Sequence, residues 1–219
     1  MGVSFRIMRP FRTLTSKAVP LDAVNVDTDQ IIPKQFLKRI ERSGYGEFLF
    51  FDWRKNADGS PNPSFPLNQP QYQGAEILVA GRNFGCGSSR EHAAWALSDY
   101  GFRCVISSSF ADIFFSNAGK NGILLVVLPE EKIAQLLERA KKPGYKLTVS
   151  LESQTVQDDD GFQESFTIDA FRRSCLLEGL DDIGLTMRHK DALADYERQH
   201  DKAFWYAPRS HANRQESHA

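Results

Sequence analysis

Residues 75–140 constrain the fold more than any other part of the chain. Apolar runs at 75–80, 104–107 and 123–128 alternate with segments of helical period at 88–100 and 111–118, and an amphipathic stretch follows at 130–140. In the first helix, Ala93, Leu97 and Tyr100 fall on one face. The runs are too short for helices and too continuously apolar for strands wetted on one side, so they read as strands buried on both faces. Strand, helix, strand, helix, strand implies parallel pairing through right-handed crossovers.

The flanks are less regular. Residues 18–21 read as a short strand, 25–30 as a loop, and 35–42 as a short helix ended by Ser43-Gly44. Residues 52–74 carry Pro61, Pro63, Pro66 and Pro70; so long an irregular stretch is either functional or a solvated insertion. Residues 146–151 and 164–168 read as strands around a turn at 158–161. Helices are expected over 169–179 and 181–199. The polar, aperiodic tail at 207–219 is expected to be disordered, leaving a single domain over 1–206.

Composition removes several classes of function. A formal net charge of -1 gives no global field toward nucleic acid or an anionic membrane. Residues 1–10 hold no apolar stretch of signal length and no later run would span a bilayer, so a cytoplasmic chain is expected. Three cysteines, Cys86, Cys104 and Cys175, form no CxxC pair. An odd, scattered set fits a reducing compartment and argues against a cluster or structural zinc held by this chain alone.

Chemistry is concentrated in Gly81-Arg-Asn-Phe-Gly-Cys-Gly-Ser-Ser-Arg-Glu-His92. Three glycines between a strand and a helix allow a sharp turn and close approach of a ligand to the backbone. A helix start offers free N–H groups to anions. Ser88 and Ser89 add hydroxyls, and Arg90 adds a fork for a carboxylate. The same residues allow a plainer reading, because Ser88 and Glu91 have the spacing of a capping box. The glycine spacing is not that of a dinucleotide loop, and no Lys-Ser or Lys-Thr follows as a P-loop would need. Cys86, beside the expected helix start, is a weaker candidate as a thiolate nucleophile. A second segment, Asp27-Thr-Asp-Gln-Ile-Ile-Pro-Lys34, offers two carboxylates one residue apart. It lacks the other ligands of a calcium loop, and a simple Asp turn would also account for it.

Taken together, these segments resemble a known family. Residues 81–94 resemble the signature of the swivelling domain of the aconitase superfamily. Residues 25–37 are similar to the first motif of its isopropylmalate dehydratase branch, and Ser109-Phe-Ala-Asp-Ile-Phe-Phe-Ser-Asn117 to the third. Residues 166–173 and 179–185 resemble the C-terminal part of the bacterial small subunits. The resemblance runs from about Val19 to Tyr196.

It implies a three-layer β/β/α swivelling domain, with a mixed sheet whose central strands are parallel. It also implies a hydro-lyase that interconverts 2-isopropylmalate and 3-isopropylmalate by removing and re-adding water, in leucine biosynthesis. A separate large subunit would carry a 4Fe-4S cluster, and this chain would bind no cofactor or metal by itself. Carried over by position, Ser88 matches the serine that takes the proton from carbon. Ser89, Arg90 and Asp29 match substrate-binding residues. Lys38 falls near a substrate-binding arginine of many relatives, with Lys34 as its rival. Lysine lacks the planar fork of arginine. Phe36 and Leu37 are candidates to meet the substrate's side group. A related hydro-lyase acting on homoaconitate, citraconate or a methylated malate is the alternative, and a non-catalytic binding module is a third. A helix N-terminus supplies about 0.3–2 kcal/mol, roughly one pKa unit, so an alkoxide at Ser88 needs Arg90 and exclusion of water as well.

Overall fold

The structure is a computed structural model that describes residues 8–38 and 43–200. The expected helix over 35–42 lies partly outside these residues and the tail at 207–219 wholly so.

The first strand is longer than expected. β1 (Thr13–Leu21) starts at Thr13 because Leu14 and Ser16 point inward while Thr13 and Thr15 stay exposed, a half-buried alternation rather than an apolar run. It leads to a single-turn helix α1 (Thr28–Ile31), a 3-10 turn at Lys34–Lys38 and a one-turn helix α2 (Phe51–Arg54). The apolar runs form β2 (Ile77–Ala80), β3 (Cys104–Ser107) and β4 (Leu124–Val127), separated by α3 (Glu91–Tyr100) and α4 (Asp112–Lys120). Beyond them lie α5 (Glu130–Ala140), β5 (Lys146–Ser150), β6 (Thr155–Gln157), β7 (Gln163–Ser165) and α6 (Ala170–Glu178). The turn at 158–161 therefore joins β6 to β7, and β6 is a strand that the sequence pattern does not announce. The last expected helix is divided into α7 (Asp182–Met187) and α8 (Lys190–His200).

The sheet has seven strands in the order β4-β3-β2-β1-β5-β6-β7. The first four are parallel and the rest antiparallel. β1 belongs to both halves: Thr13–Lys17 pair with β5, and Ala18–Leu21 with β2.

Alternate residues of the parallel strands feed two cores. Val19, Leu78, Ala80 and Val105 meet Ala93, Ala96 and Leu97 of α3 and Phe114 of α4. Ile77, Val79, Ile106 and Val126 meet Ile133 and Leu136 of α5, together with Leu147, Val149 and Val156 of the antiparallel strands. Burial on both faces explains the unbroken apolar runs.

Residues 52–74 are not a solvated insertion. Their prolines open 3-10 turns at Pro66–Asn68 and Pro70–Tyr72, as proline does at a first helical position. Phe65, Leu67 and Tyr72 are buried in the first core. The side chain of Asn68 ties the segment to the carbonyls of Arg54 (2.7 Å) and Asn62 (2.8 Å).

The chain divides into two compact units, the first ending at Asp181 and the second beginning at Asp182. In the second unit no described residue of α7 or α8 is buried, and Ile183, Met187 and Tyr196 are exposed.

Candidate active site

At the carboxyl ends of β1, β2 and β3 the three motifs lie side by side. Ligands of open α/β sheets bind at this edge. Backbone hydrogen bonds join the segment after β1 to the segment after β2: Gly81 N–H to Ala23 carbonyl (3.1 Å), Asn25 N–H to Arg82 carbonyl (2.9 Å), Gly85 N–H to Val26 carbonyl (2.7 Å) and Thr28 N–H to Cys86 carbonyl (2.9 Å). Asn25 and Asn83 both have left-handed backbones, with φ of 55° and 57°, which asparagine tolerates better than most residues. The Asn83 amide donates to the Asn25 side-chain oxygen at 2.9 Å. On the other side, Phe84 N–H donates to Ser109 carbonyl and Ala111 N–H to Phe84 carbonyl, both at 3.1 Å.

Two glycines are required by this close fit. A Cβ on Gly81 would lie 2.4 Å from the Ala23 carbonyl oxygen. One on Gly85, where φ is +77°, would lie 2.2 Å from the Phe114 ring.

Asp27 caps α1 in a full capping box with Gln30. The Asp-rich segment is thus an Asp turn, in line with the plainer of its two readings, and among the described residues no three of His, Cys, Asp and Glu could hold a metal. Asp29, two residues further into the turn, faces Arg90. The Arg90 guanidinium donates to one carboxylate oxygen of Asp29, and Lys34 Nζ lies 3.4 Å from the other. The hydrogen bond from Arg90, together with Lys34, holds the Asp29 carboxyl below the usual carboxylate range. Arg90, distant in sequence, therefore joins Asp29 and Lys34 in one cluster. Lys38 ends the 3-10 turn as an exposed side chain. Phe36 is stacked on Phe48 at 4.1 Å and set edge-on to Phe51 at 4.9 Å, so its ring anchors that turn.

The helix after the glycine turn starts later than the sequence suggests. α3 begins at Glu91, with Arg90 as an N-cap whose side chain makes no cap bond. The capping box of Ser88 and Glu91 does not form. Cys86 is bridged to Asp27 in a strand-like pair, and the backbone stays extended at Arg90, with φ −139° and ψ 114°. Ser88 and Ser89 are consequently exposed, ahead of the helix rather than on it. Cys86 is not at a helix N-terminus either. Burial and the nearby Asp27 push its thiol up, which removes the case for a thiolate nucleophile. His92 packs its ring against Trp95 (4.6 Å) and Tyr45 (5.3 Å). Burial, with a smaller contribution from Arg90, lowers its pKa and favours the neutral ring.

Comparison with known proteins places this arrangement. Residues 8–131 match the family model of the Aconitase C-terminal domain, the class that the mixed sheet and the glycine turn define. Residues 134–170 match the model described as LeuD_N, and 182–209 that of the C-terminal domain of the 3-isopropylmalate dehydratase small subunit. A 3-isopropylmalate dehydratase small subunit of Acidobacterium capsulatum is 72% identical over 203 residues, 92% of this chain and 96% of that protein. Another, of Brevibacillus brevis, is 59% identical over 191 residues, 87% of this chain and 98% of its own. The chain belongs to the family of 3-isopropylmalate dehydratase small subunits. A crystal structure of 3-isopropylmalate dehydratase from Methanocaldococcus jannaschii shares the fold, with a TM-score of 0.62 and 24% identity over 84% of this chain and 99% of that one.

Proposed function

We propose that this chain is the small subunit of 3-isopropylmalate dehydratase, and that with its large subunit it interconverts 2-isopropylmalate and 3-isopropylmalate by dehydration and rehydration. The observation that carries the assignment of roles is the cluster at the sheet edge. Exposed Ser88 and Ser89 stand beside Arg90, which is held with Asp29 and Lys34 by the segment after β1.

A dicarboxylate substrate needs cations, and Arg90 and Lys34 supply two around one aspartate. Arg90 grips a substrate carboxylate with its fork, in competition with Asp29. Lys34, on the other side of that aspartate, serves as the second cation in preference to Lys38. Ser89 adds a hydroxyl to the same rim. Ser88 Oγ removes the proton from the carbon beside a carboxylate and returns it to the alkene on rehydration. An exposed serine keeps its own proton at neutral pH, so the site works only when covered. The large subunit would provide that cover, and low dielectric then strengthens the hold of Arg90 on developing negative charge.

The 4Fe-4S cluster that the family resemblance implies is assigned to the large subunit, where its iron would act as a Lewis acid on the substrate's hydroxyl. The free thiols Cys86, Cys104 and Cys175 fit a cytoplasmic enzyme.

Ser88→Ala tests the reading. In enzyme assembled anaerobically with the large subunit and assayed by alkene absorbance on 3-isopropylmalate, kcat should fall by about 10³-fold or more. Assembly and melting temperature should stay near the parent values, since Ser88 caps no helix. Turnover that survives the substitution would remove Ser88 as the base.

A further inference from the structure

The proposed base stands in a segment that its own secondary structure does not hold. Ser88 precedes α3 by three residues and follows Gly85 and Gly87, both at positive φ. Its position depends on what grips the backbone around it, and the grip comes from Thr28. The Thr28 N–H donates to the Cys86 carbonyl at 2.9 Å. Its Oγ1 donates to the carbonyl of Ser88 itself at 2.8 Å, across sixty residues of sequence. The Thr28 side chain has no freedom to wander: the residue is 2% exposed, and its own carbonyl accepts the N–H of Ile32 at 3.0 Å. Asp29, the next residue, is the partner of Arg90.

We infer that Thr28 is the positioning residue for the catalytic serine. One buried hydroxyl sets the Ser88 peptide, while the following residue sets Arg90, so a single rigid turn places both the proton acceptor and the carboxylate clamp. Thr28 touches no substrate and acts only through Ser88. The inference rests on Ser88 being the base.

Threonine and valine have nearly the same shape, so Thr28→Val removes the hydroxyl and little else, while Thr28→Ser keeps the hydroxyl and loses the methyl group. In the assembled enzyme, Thr28→Val should lower kcat by about ten- to a hundredfold, as misplacement of a reacting group by an ångström does. KM should change less than about threefold, because the substrate's clamp is untouched. Thr28→Ser should restore most of kcat. In the isolated chain, hydrogen exchange at the amides of residues 86–90 should quicken in the valine variant and not in the serine variant. Ser88→Ala, measured alongside, separates two failures. If Ser88→Ala stays active, the assignment of the base is wrong. If Ser88→Ala is dead and Thr28→Val keeps full kcat, the base stands and the positioning role is overturned. A valine chain that does not fold would also overturn it, by assigning the hydroxyl to the fold as a whole.

Discussion

Two of the aspartate–arginine pairs among the described residues, Asp158–Arg139 and Asp29–Arg90, stand in very different surroundings. Asp158 lies at the β6–β7 turn, its side chain only 1% exposed. Arg139 donates to it at 2.8 Å, the Tyr145 hydroxyl at 2.8 Å, and the N–H groups of Asp160 and Phe162 at 2.9 and 2.8 Å. Burial alone would raise its pKa, but the Phe162 N–H, Tyr145 and Arg139 outweigh that and hold it low. Asp29 is 37% exposed, and its carboxylate partners among the described residues are the tips of two cationic side chains, Arg90 and Lys34. Every lone pair of the first carboxylate is used, so nothing can replace it. On the function proposed above, the second stands where a substrate's carboxylate would take its place. The contrast lies in saturation by fixed backbone donors, which separates a structural ion pair from an exchangeable one.

The largest effect expected from this contrast is on stability at the turn. Asp158→Asn leaves Arg139 without its partner and turns an N–H toward donors, so it should destabilise the fold by about 2–4 kcal/mol, read by denaturant melts. The assembled enzyme's KM should not move. The pH dependence has a definite sign. Because the folded-state pKa of Asp158 lies below its ordinary 3.8, its stabilisation is complete above about pH 5 and is lost as pH falls through the lowered value. Parent and variant stability should therefore draw together as pH falls below the ordinary 3.8. A gap that stayed constant from pH 7 down to pH 3 would show that packing, and not the charge, carries the loss.

The complementary substitution is Arg90→Lys. Lysine keeps a cation near Asp29 but not the fork, so KM for 3-isopropylmalate should rise by about 10- to 100-fold. Stability should change by less than about 1 kcal/mol, as for a partly exposed pair. If Arg90→Lys unfolds the chain as readily as Asp158→Asn does, the two pairs are alike and the distinction fails.

How much of this was legible in the sequence follows from the range of the interactions. The central strands were legible because their runs are apolar on both faces. The first half of β1 and all of β6 were not. Leu14 and Val156 are isolated inward residues on short half-wet strands, which leave no run. In 52–74, irregularly spaced Phe65, Leu67 and Tyr72 bury the segment without any period to announce it. The residues of the candidate site were singled out by motif, but their junction was not legible. The bonds that join 23–28 to 81–88 are mostly between backbone groups, which any side chain could carry. The same junction explains the misplaced helix start: the local preference of Ser88 for Glu91 is worth about 1 kcal/mol, and several long-range bonds hold the chain extended past it.

The smallest expected effect concerns the two lysines, which the sequence could not rank. Lys34 reaches Asp29 at 3.4 Å but is 73% exposed, so its attraction is weak and screened by salt. Lys34→Ala should raise KM about three- to tenfold at low ionic strength, and less at high salt, with no change in melting temperature. Lys38→Ala should leave KM within about twofold at either ionic strength. The two substitutions remove the same charge four residues apart, so net charge cannot explain a difference between them. If Lys38→Ala instead raised KM more than Lys34→Ala, the clamp on the substrate would run through the end of the 3-10 turn, and the cluster around Asp29 would be a feature of the uncovered chain alone.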